Sequence, residues 1–435
     1  MIPSSKTVKV LVPVVLGLSA TLVSLTANLV TGTLSQARTL PKLPLLLPFD
    51  LKLAKPPLRR TQGVRGPAPG VKATILYSFD DKDGTYPLSS PDLDKTQKKI
   101  YGTTFQGGAD DYGTVFAFPI NNPPATGKLN PLHSFKKDDG ANPMGRLILD
   151  STGKIYGTTN RGGANGQGTV FTFDATGKPI TPQQHSFIGS DGLQPTAGVQ
   201  RDTKGNLYGT TPGGGKTGYG TAFELAPGGK LTSIYSFSLS TARPYGGVLR
   251  DSSGMYGTTY LGGKANKGIV FKIFKGKFTV LQNFTGTNGA YPYSTLVRDG
   301  AGKLYGTTCK GGDFNYGTVF RLNADGKEFK TLHSFNFVKG SCPITGVVLD
   351  QLGNLYGTTY EGGSDANGTV FKIAAGGEFT SLYSFDNSVE NDGDSPWGGV
   401  TLDNALLTSG KGNLYGTTQF GGEKNRGSVF KLNLK

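Results

Sequence analysis

One tetrapeptide, Tyr-Gly-Thr-Thr, recurs seven times in this chain, beginning at Tyr101, Tyr156, Tyr208, Tyr256, Tyr305, Tyr356 and Tyr415. Two further motifs keep step with it. An aromatic residue or His followed by Ser-Phe ends at Phe79, Phe135, Phe187, Phe237, Phe335 and Phe385, with Asn283-Phe284 as the one variant. Gly-Thr-Val-Phe starts at Gly113, Gly168, Gly317 and Gly368, with close variants at Gly220, Gly268 and Gly427. Three motifs in one fixed order, at a period of roughly 50 residues, mean a repeat architecture in which each unit buries its faces against its neighbours.

The copy from Pro343 to Phe385 shows what one unit contains. Residues 344–350, 354–359, 368–373 and 378–385 read as strands, with Asp350 opening a tight turn and Gly353 free to take positive φ. No proline falls inside them, and no run is long enough for an amphipathic helix. Abundant Gly alone would suggest disorder; beside plentiful Tyr and Phe it suggests short strands and tight turns. Four antiparallel strands in about 50 residues describe a propeller blade. The expected fold is all-β, a seven-bladed β-propeller of four-stranded antiparallel blades over residues 74–435.

Motif order also predicts how the ring closes. The longest polar connection follows each Ser-Phe strand, which places that strand outermost. The repeat region opens with such a strand, 74–79, and ends with a third strand, 427–432. The N-terminal strand is therefore expected to complete the last blade. Burying Ile75, Tyr77 and Phe79 there is worth on the order of 5–8 kcal/mol, comparable with the whole net stability of many domains.

The Tyr-Gly-Thr-Thr, Gly-Gly and Gly-Thr-Val-Phe repeat resembles the tandem-repeat family of choice-of-anchor GloVer-containing proteins, over about residues 74–435. The resemblance implies an exported bacterial protein whose repeats accompany varied surface-anchoring signals, and it brings no catalytic residues to transfer. The chain ends at Lys435, directly after the last strand, so any anchor is expected at the N-terminus.

Residues 1–37 fit that expectation. Lys6 and Lys9 precede an uncharged run from Val10 to Val30, and Ser35-Gln36-Ala37 offers small residues for cleavage. The segment reads as a signal peptide or, given its length, an uncleaved anchor. Both readings place the protein at an extracellular, cell-surface or periplasmic location. Residues 38–73 are rich in Pro and basic side chains and read as an extended linker. Residues 1–73 hold ten Lys and Arg against the single Asp50, so most of the net charge of +15 belongs to this arm. The high pI is thus no nucleic-acid footprint, and membrane contact is expected only through the N-terminal segment, if uncleaved.

Candidate chemistry is sparse. His133, His185 and His333 occupy the slot that holds Tyr77, Tyr235 and Tyr383 in other units, so they lie on different blades and cannot converge on a metal or a triad. Asp94, Asp150, Asp202, Asp251, Asp299, Asp350 and Asp403 each end a first strand, where a turn-capping role is the simplest account. Function is sought where the units differ. The connections between blades share one face with the Gly-Gly loops, and one sector of it is acidic: Asp80, Asp81 and Asp83 in one connection, Glu390, Asp392 and Asp394 in its neighbour. Carboxylates on loops suit Ca²⁺, although no full ligand motif is present; the plain alternative is solvated charge, with no cofactor at all.

Residues Met144, Tyr245, Tyr293, Ile344 and Trp397 start innermost strands and are expected around the channel mouth, where aromatic faces could stack on sugar or peptide. Packing between blades is the competing account. Cys309 and Cys342 fall on the same face of adjacent blades, and a disulfide is plausible in an oxidising compartment. The leading functional reading is an exported binding scaffold for carbohydrate or protein at the loop-rich face. The alternatives are a propeller lyase or hydrolase using the acidic loops with a cation, and a structural surface protein.

Overall fold

The computed structural model describes residues 71–435 except 182–183, 387–388 and 390. The segment 1–37 and nearly all of the linker 38–73 lie outside the described residues. Seven antiparallel sheets follow one another along the chain, one for each copy of the repeat. Blade 1 is built from Asp92–Leu93, Lys99–Thr104, Thr114–Pro119 and His133–Ser134, in that order from the inner to the outer edge. Blade 7 takes Val400–Leu402, Gly412–Thr418 and Ser428–Leu434 from the C-terminal end of the chain and Ala73–Ser78 from the start of the repeat region. Thr74 lies opposite Lys431, Ile75 opposite Phe430 and Tyr77 opposite Val429, with a register shift between Ile75 and Tyr77. Ile75 is only partly buried, whereas Tyr77 and Phe79 are fully buried.

Each motif residue has an identifiable task. The glycine of Tyr-Gly-Thr-Thr faces the phenylalanine of Gly-Thr-Val-Phe across the strand pair, as Gly102 faces Phe116 and Gly416 faces Phe430. A Cβ at Gly102 or Gly416 would sit 2.5 or 2.3 Å from a ring carbon, so only glycine lets the ring lie flat on the strand. That ring then receives the Ser-Phe phenylalanine of the preceding blade. Phe135–Phe171, Phe187–Phe223, Phe237–Phe271, Phe284–Phe320, Phe335–Phe371 and Phe385–Phe430 all have centroids 5.2–5.4 Å apart. Phe79 on Phe116, at 5.0 Å, makes the same contact from blade 7 to blade 1. The hydrophobic core is accordingly divided into wedges between adjacent blades; the wedge at the 7/1 junction combines Tyr77, Phe79, Tyr415 and Val429 with Ile100, Phe116 and Phe118.

The two threonines divide their work. The first donates to a carbonyl of the next blade's inner segment: Thr158 to Ala197, Thr210 to Gly246, Thr258 to Ser294, Thr307 to Thr345, Thr358 to Gly398 and Thr417 to Ser89, at 2.7–3.0 Å. The last of these crosses from blade 7 to blade 1. The second threonine pairs with the Gly-Thr-Val-Phe threonine inside its own blade, as Thr104 does with Thr114 at 2.8 Å. The serine of Ser-Phe accepts an N–H just after the Gly-Gly pair, as Ser384 does from Ser364, and the variant Asn283 does this with its amide oxygen for Lys264.

Two features depart from expectation. The inner strands are short: in the segment 344–350 only Val348–Leu349 is laddered. The first half of that segment instead runs against neighbouring blades so closely that a Cβ at Gly346 would meet the Thr295 carbonyl at 2.5 Å. Blade 7 also carries a one-turn helix, Asn404–Ser409, capped by Asp403, whose carboxylate accepts the Leu406 N–H, and ended by Gly410 at φ 71°.

Candidate functional site

The inter-blade connections and the Gly-Gly loops do share one face. In all seven blades the second glycine donates its N–H to a connection carbonyl, from Gly108 to Asp81 through Gly422 to Asp392. On the same face lies a ring of backbone strain. The residue before each inner-strand proline (Tyr86, Asn142, Gln194, Arg243, Tyr291, Cys342 and Ser395) is left-handed, with φ between 52° and 62°. That conformation is costly for a side chain preceding proline. It is offset in every blade by an N–H donated to the carbonyl just before the Gly-Thr-Val-Phe glycine, 2.7–3.1 Å away. Sevenfold recurrence marks the strain as architectural.

What varies is the junction chemistry built on this ring. The residue after Tyr-Gly-Thr-Thr in one blade meets the pre-proline residue of the next. At the 1/2 junction the Asn142 amide donates to the Phe105 carbonyl at 2.9 Å, and at the 2/3 junction Asn160 donates to the Gln194 carbonyl at 3.1 Å. At 5/6 the same two positions are Cys309 and Cys342, joined as a disulfide with both residues buried. At 4/5 they are tyrosines: Tyr260 lies 4.9 Å from both Tyr291 and Tyr293, and 5.4 Å edge-on from Tyr245. At 6/7 Tyr360 meets Trp397 edge-on at 5.3 Å.

Of the residues expected at the channel mouth, Trp397 is 8% exposed and Tyr245 4%, and Met144 and Ile344 are equally buried. Their apolar surface is sufficient reason for that burial, and the rings of Tyr245 and Trp397 meet Tyr293 and Tyr360 of neighbouring blades. Tyr293 is half-buried, and so are Tyr260, Tyr291 and Tyr360. Burial raises the pKa of Tyr245, Tyr260 and Tyr293, so all three are neutral phenols that can donate at neutral pH. Outside them the rim carries exposed apolar side chains, chiefly Phe314 at 56% and Val338 at 49%, with Tyr316 at 37% set against Phe337 at a ring separation of 5.3 Å.

The acidic sector is not a cluster of free carboxylates. Tyr77 donates its hydroxyl to Asp83, which also accepts the Asp80 N–H, and burial pushes Asp83 up to about 6. Asp81 pairs with Arg426 at 2.8 Å. Asp392 accepts the Tyr383 hydroxyl at 2.9 Å and the Asp386 N–H, and burial raises its pKa too. Asp394 accepts the Ser395 hydroxyl at 2.7 Å. Glu390 lies outside the described residues. Among the described residues no three His, Cys, Asp or Glu side chains assemble into a metal cage. These aspartates clasp their own connections: His133 with Asp139 and His185 with Asp191, at 3.0 and 2.7 Å, repeat the Tyr77–Asp83 arrangement in other blades.

The recurrent turn aspartates cap backbone amides, and one partner was hidden from the sequence: the repeat tyrosine. Tyr156 donates to Asp150 at 2.9 Å. Burial alone would raise the Asp150 pKa, but this bond and those from Thr152 and Lys154 hold it down to about 2. Tyr245 and Tyr293 were expected at the mouth, but their clustering with Tyr260 and Tyr291 was not. Part of its signal is present, however, in a position that varies while the tetrapeptide before it does not: Phe105, Asn160, Pro212, Tyr260, Cys309, Tyr360 and Gln419 follow the seven tetrapeptides.

A family model described as the Gloeobacter/Verrucomicrobia repeat matches residues 66–252 and 238–409. No curated protein sequence matches the chain. Among solved structures, an ancestral GH74 enzyme is 11% identical with a TM-score of 0.51; the match covers 81% of this chain and 48% of that one, so this chain spans about half of that enzyme. A chain of a nidogen/laminin complex is 14% identical over 68% of this chain and 90% of its own, with a TM-score of 0.39. A Bacteroides uniformis protein assigned as a 6-phosphogluconolactonase is 14% identical over 68% of this chain and 84% of its own, with a TM-score of 0.44. At such identities the likeness concerns the fold alone.

Proposed function

The chain belongs to the Gloeobacter/Verrucomicrobia repeat family, and from that premise we propose that its propeller is an exported or cell-surface binding module that takes a carbohydrate chain on the loop-rich face of blades 4 to 6. The observation that carries this reading is the pair of half-buried tyrosines Tyr260 and Tyr291, packed with Tyr293, on the same loop-rich face as the exposed Phe314 and the Tyr316–Phe337 ring pair. Tyrosine offers a flat apolar face to a sugar ring and a hydroxyl to its edge, at little cost in side-chain entropy. A rigid strand scaffold beneath a varied loop face is a common way to carry such a site. An acid–base reaction would require two carboxylates able to reach one substrate, and the aspartates described above are engaged with their own blades.

A glycan array and a peptide array probed with the full chain test the proposal. The expected result is glycan binding that falls at least tenfold in Tyr291→Ala and Tyr316→Ala, with Trp397→Ala lowering stability more than affinity. Binding confined to peptides would shift the ligand class to protein. Silence on both arrays, with a folded protein, would favour a structural surface role.

A further inference from the structure

The opposite face of the propeller is formed by the turns that join first to second and third to fourth strands. We propose that on this face the blade 4 hairpin docks the propeller onto an anionic lipid bilayer. Strands Ile269–Phe274 and Lys277–Asn283 are joined by the two-residue turn Lys275-Gly276, with φ 48° and 75°. A turn of this kind normally favours Asn or Asp at its first position, and here the residue is a lysine. The tip therefore reads Phe-Lys-Gly-Lys, with Phe274 41% exposed between the amines of Lys272 and Lys275, 5.5 and 5.4 Å from its ring. Lys272 also lies 5.2 Å from the Tyr256 ring, inward from the tip; the nearby Arg298 guanidinium is taken up by Asp251, so the free cations of the patch are the lysines.

The corresponding turns of blades 2 and 5 each contain an aspartate, Asp174 and Asp325, and that of blade 6 is followed by Glu378; those of blades 1, 3 and 4 have no acid, and of these only blade 4 sets an exposed Phe between lysines. Val280, on the outer strand of the same hairpin, is a further exposed apolar side chain. An apolar tip ringed by lysines matches the headgroup region of an anionic bilayer, where Phe enters the acyl boundary and the amines stay among phosphates. A soluble polyanion would make use of the lysines but not of Phe274. Chain direction supports the same orientation. Ala73 pairs with Leu432, at the hairpin end of the last blade, so the chain enters the propeller on this face. The residues leading into it, 38–72, carry eight Lys and Arg against one Asp. The loop-rich face then points away from the membrane.

The full chain is mixed with vesicles of phosphatidylcholine, or of phosphatidylcholine with 30% phosphatidylglycerol, and its lysines are labelled with a membrane-impermeant amine reagent. Labelling site by site separates docking of this hairpin from anchoring by residues 1–37. The expected result is slower labelling of Lys275 and Lys277 with anionic vesicles only, while Lys339 on the loop-rich face is unchanged. Vesicle affinity should fall about 25-fold in Lys275→Gln/Lys277→Gln, at about fivefold per lysine, and about tenfold in Phe274→Ala. Equal labelling with both vesicle types would overturn the proposal. So would equal shielding by dextran sulfate with no effect of Phe274→Ala, which would assign the patch to soluble polyanions.

Discussion

The junction between blades 7 and 1 and the junction between blades 5 and 6 solve the same problem with different bonds. At 7/1 the connection is continuous, but the strand it leaves, Ala73–Ser78, is joined to the rest of blade 7 by pairing alone, and Phe79 reaches Phe116 of blade 1. Its connection is clasped by Tyr77 on Asp83, and Thr417 donates to Ser89 beneath it. At 5/6 the chain is continuous, yet the connection carries no acid. Lys339 stands in the region where other connections place an aspartate, the Nε2 of His333 is buried without a hydrogen-bond partner among the described residues, and the His333 ring lies flat on Phe379 at 3.8 Å. A disulfide ties that junction instead. The 3/4 and 4/5 connections also lack an acid, but of the three only 5/6 is reinforced covalently, and the closure of the ring is left to burial and hydrogen bonds.

This contrast predicts an order of damage. Removing residues 71–79 strips blade 7 of its outer strand and opens the wedge formed by Tyr77 and Phe79; calorimetry should show the cooperative transition lost or lowered by tens of degrees. Phe79→Ala should cost about 3–5 kcal/mol, at least as much as Phe335→Ala, its counterpart at 5/6, because a frayed strand at the closure has no preceding blade to hold it. Denaturant titration of the two variants decides this. Replacing Cys309 and Cys342 with alanine releases a cross-link spanning 33 residues, worth about 3–4 kcal/mol if loop entropy dominates. The ring should stay closed in that variant. Thr417→Val removes one buried hydrogen bond and should cost about 1–2 kcal/mol, as should Thr307→Val at the 5/6 junction.

The two regions should also respond to pH in opposite directions. Burial, followed by the Lys339 charge, pushes His333 down from 6.5 to about 4. The unfolded chain then binds the proton more readily between those values, so this histidine takes away up to about 3 kcal/mol of stability as pH falls from 6.5 towards 4. Asp83, raised from 3.8 to about 6, does the reverse: its contribution is lost as pH rises through that range. Melting curves of His333→Phe and Asp83→Asn across pH 4 to 7 should each lose one of these slopes. Lys339→Asp should raise the His333 pKa, as followed by NMR, by rebuilding the clasp seen at His133 and Asp139.

The fold was legible because it is periodic. Phase and motif order were enough to place seven blades and to assign the strand at 74–79 to the last of them. The reason for each motif residue was not legible, since it rests on contacts between strands and between blades: Gly416 under Phe430, Tyr156 on Asp150, Thr417 on Ser89. The candidate site was read less well. The sequence marks Trp397 as unique, but not that its ring is buried against Tyr360 of the preceding blade. Counting acids in connections marks charge, but not that Asp83 and Asp392 are already held by Tyr77 and Tyr383. Tyr260 and Tyr291 belong to different blades, and only the closed ring brings them together.

The central claim is that the first described strand completes the last blade. Thr74 and Lys431 are register partners on that strand pair, so cysteines placed at both positions, with Cys309 and Cys342 intact, should oxidise to a new disulfide in the folded protein and raise its melting temperature. Cysteines at Thr74 and Lys372, the matching position of blade 6, should not cross-link. Failure of the first pair, or efficient cross-linking of the second, would contradict the closed seven-bladed ring.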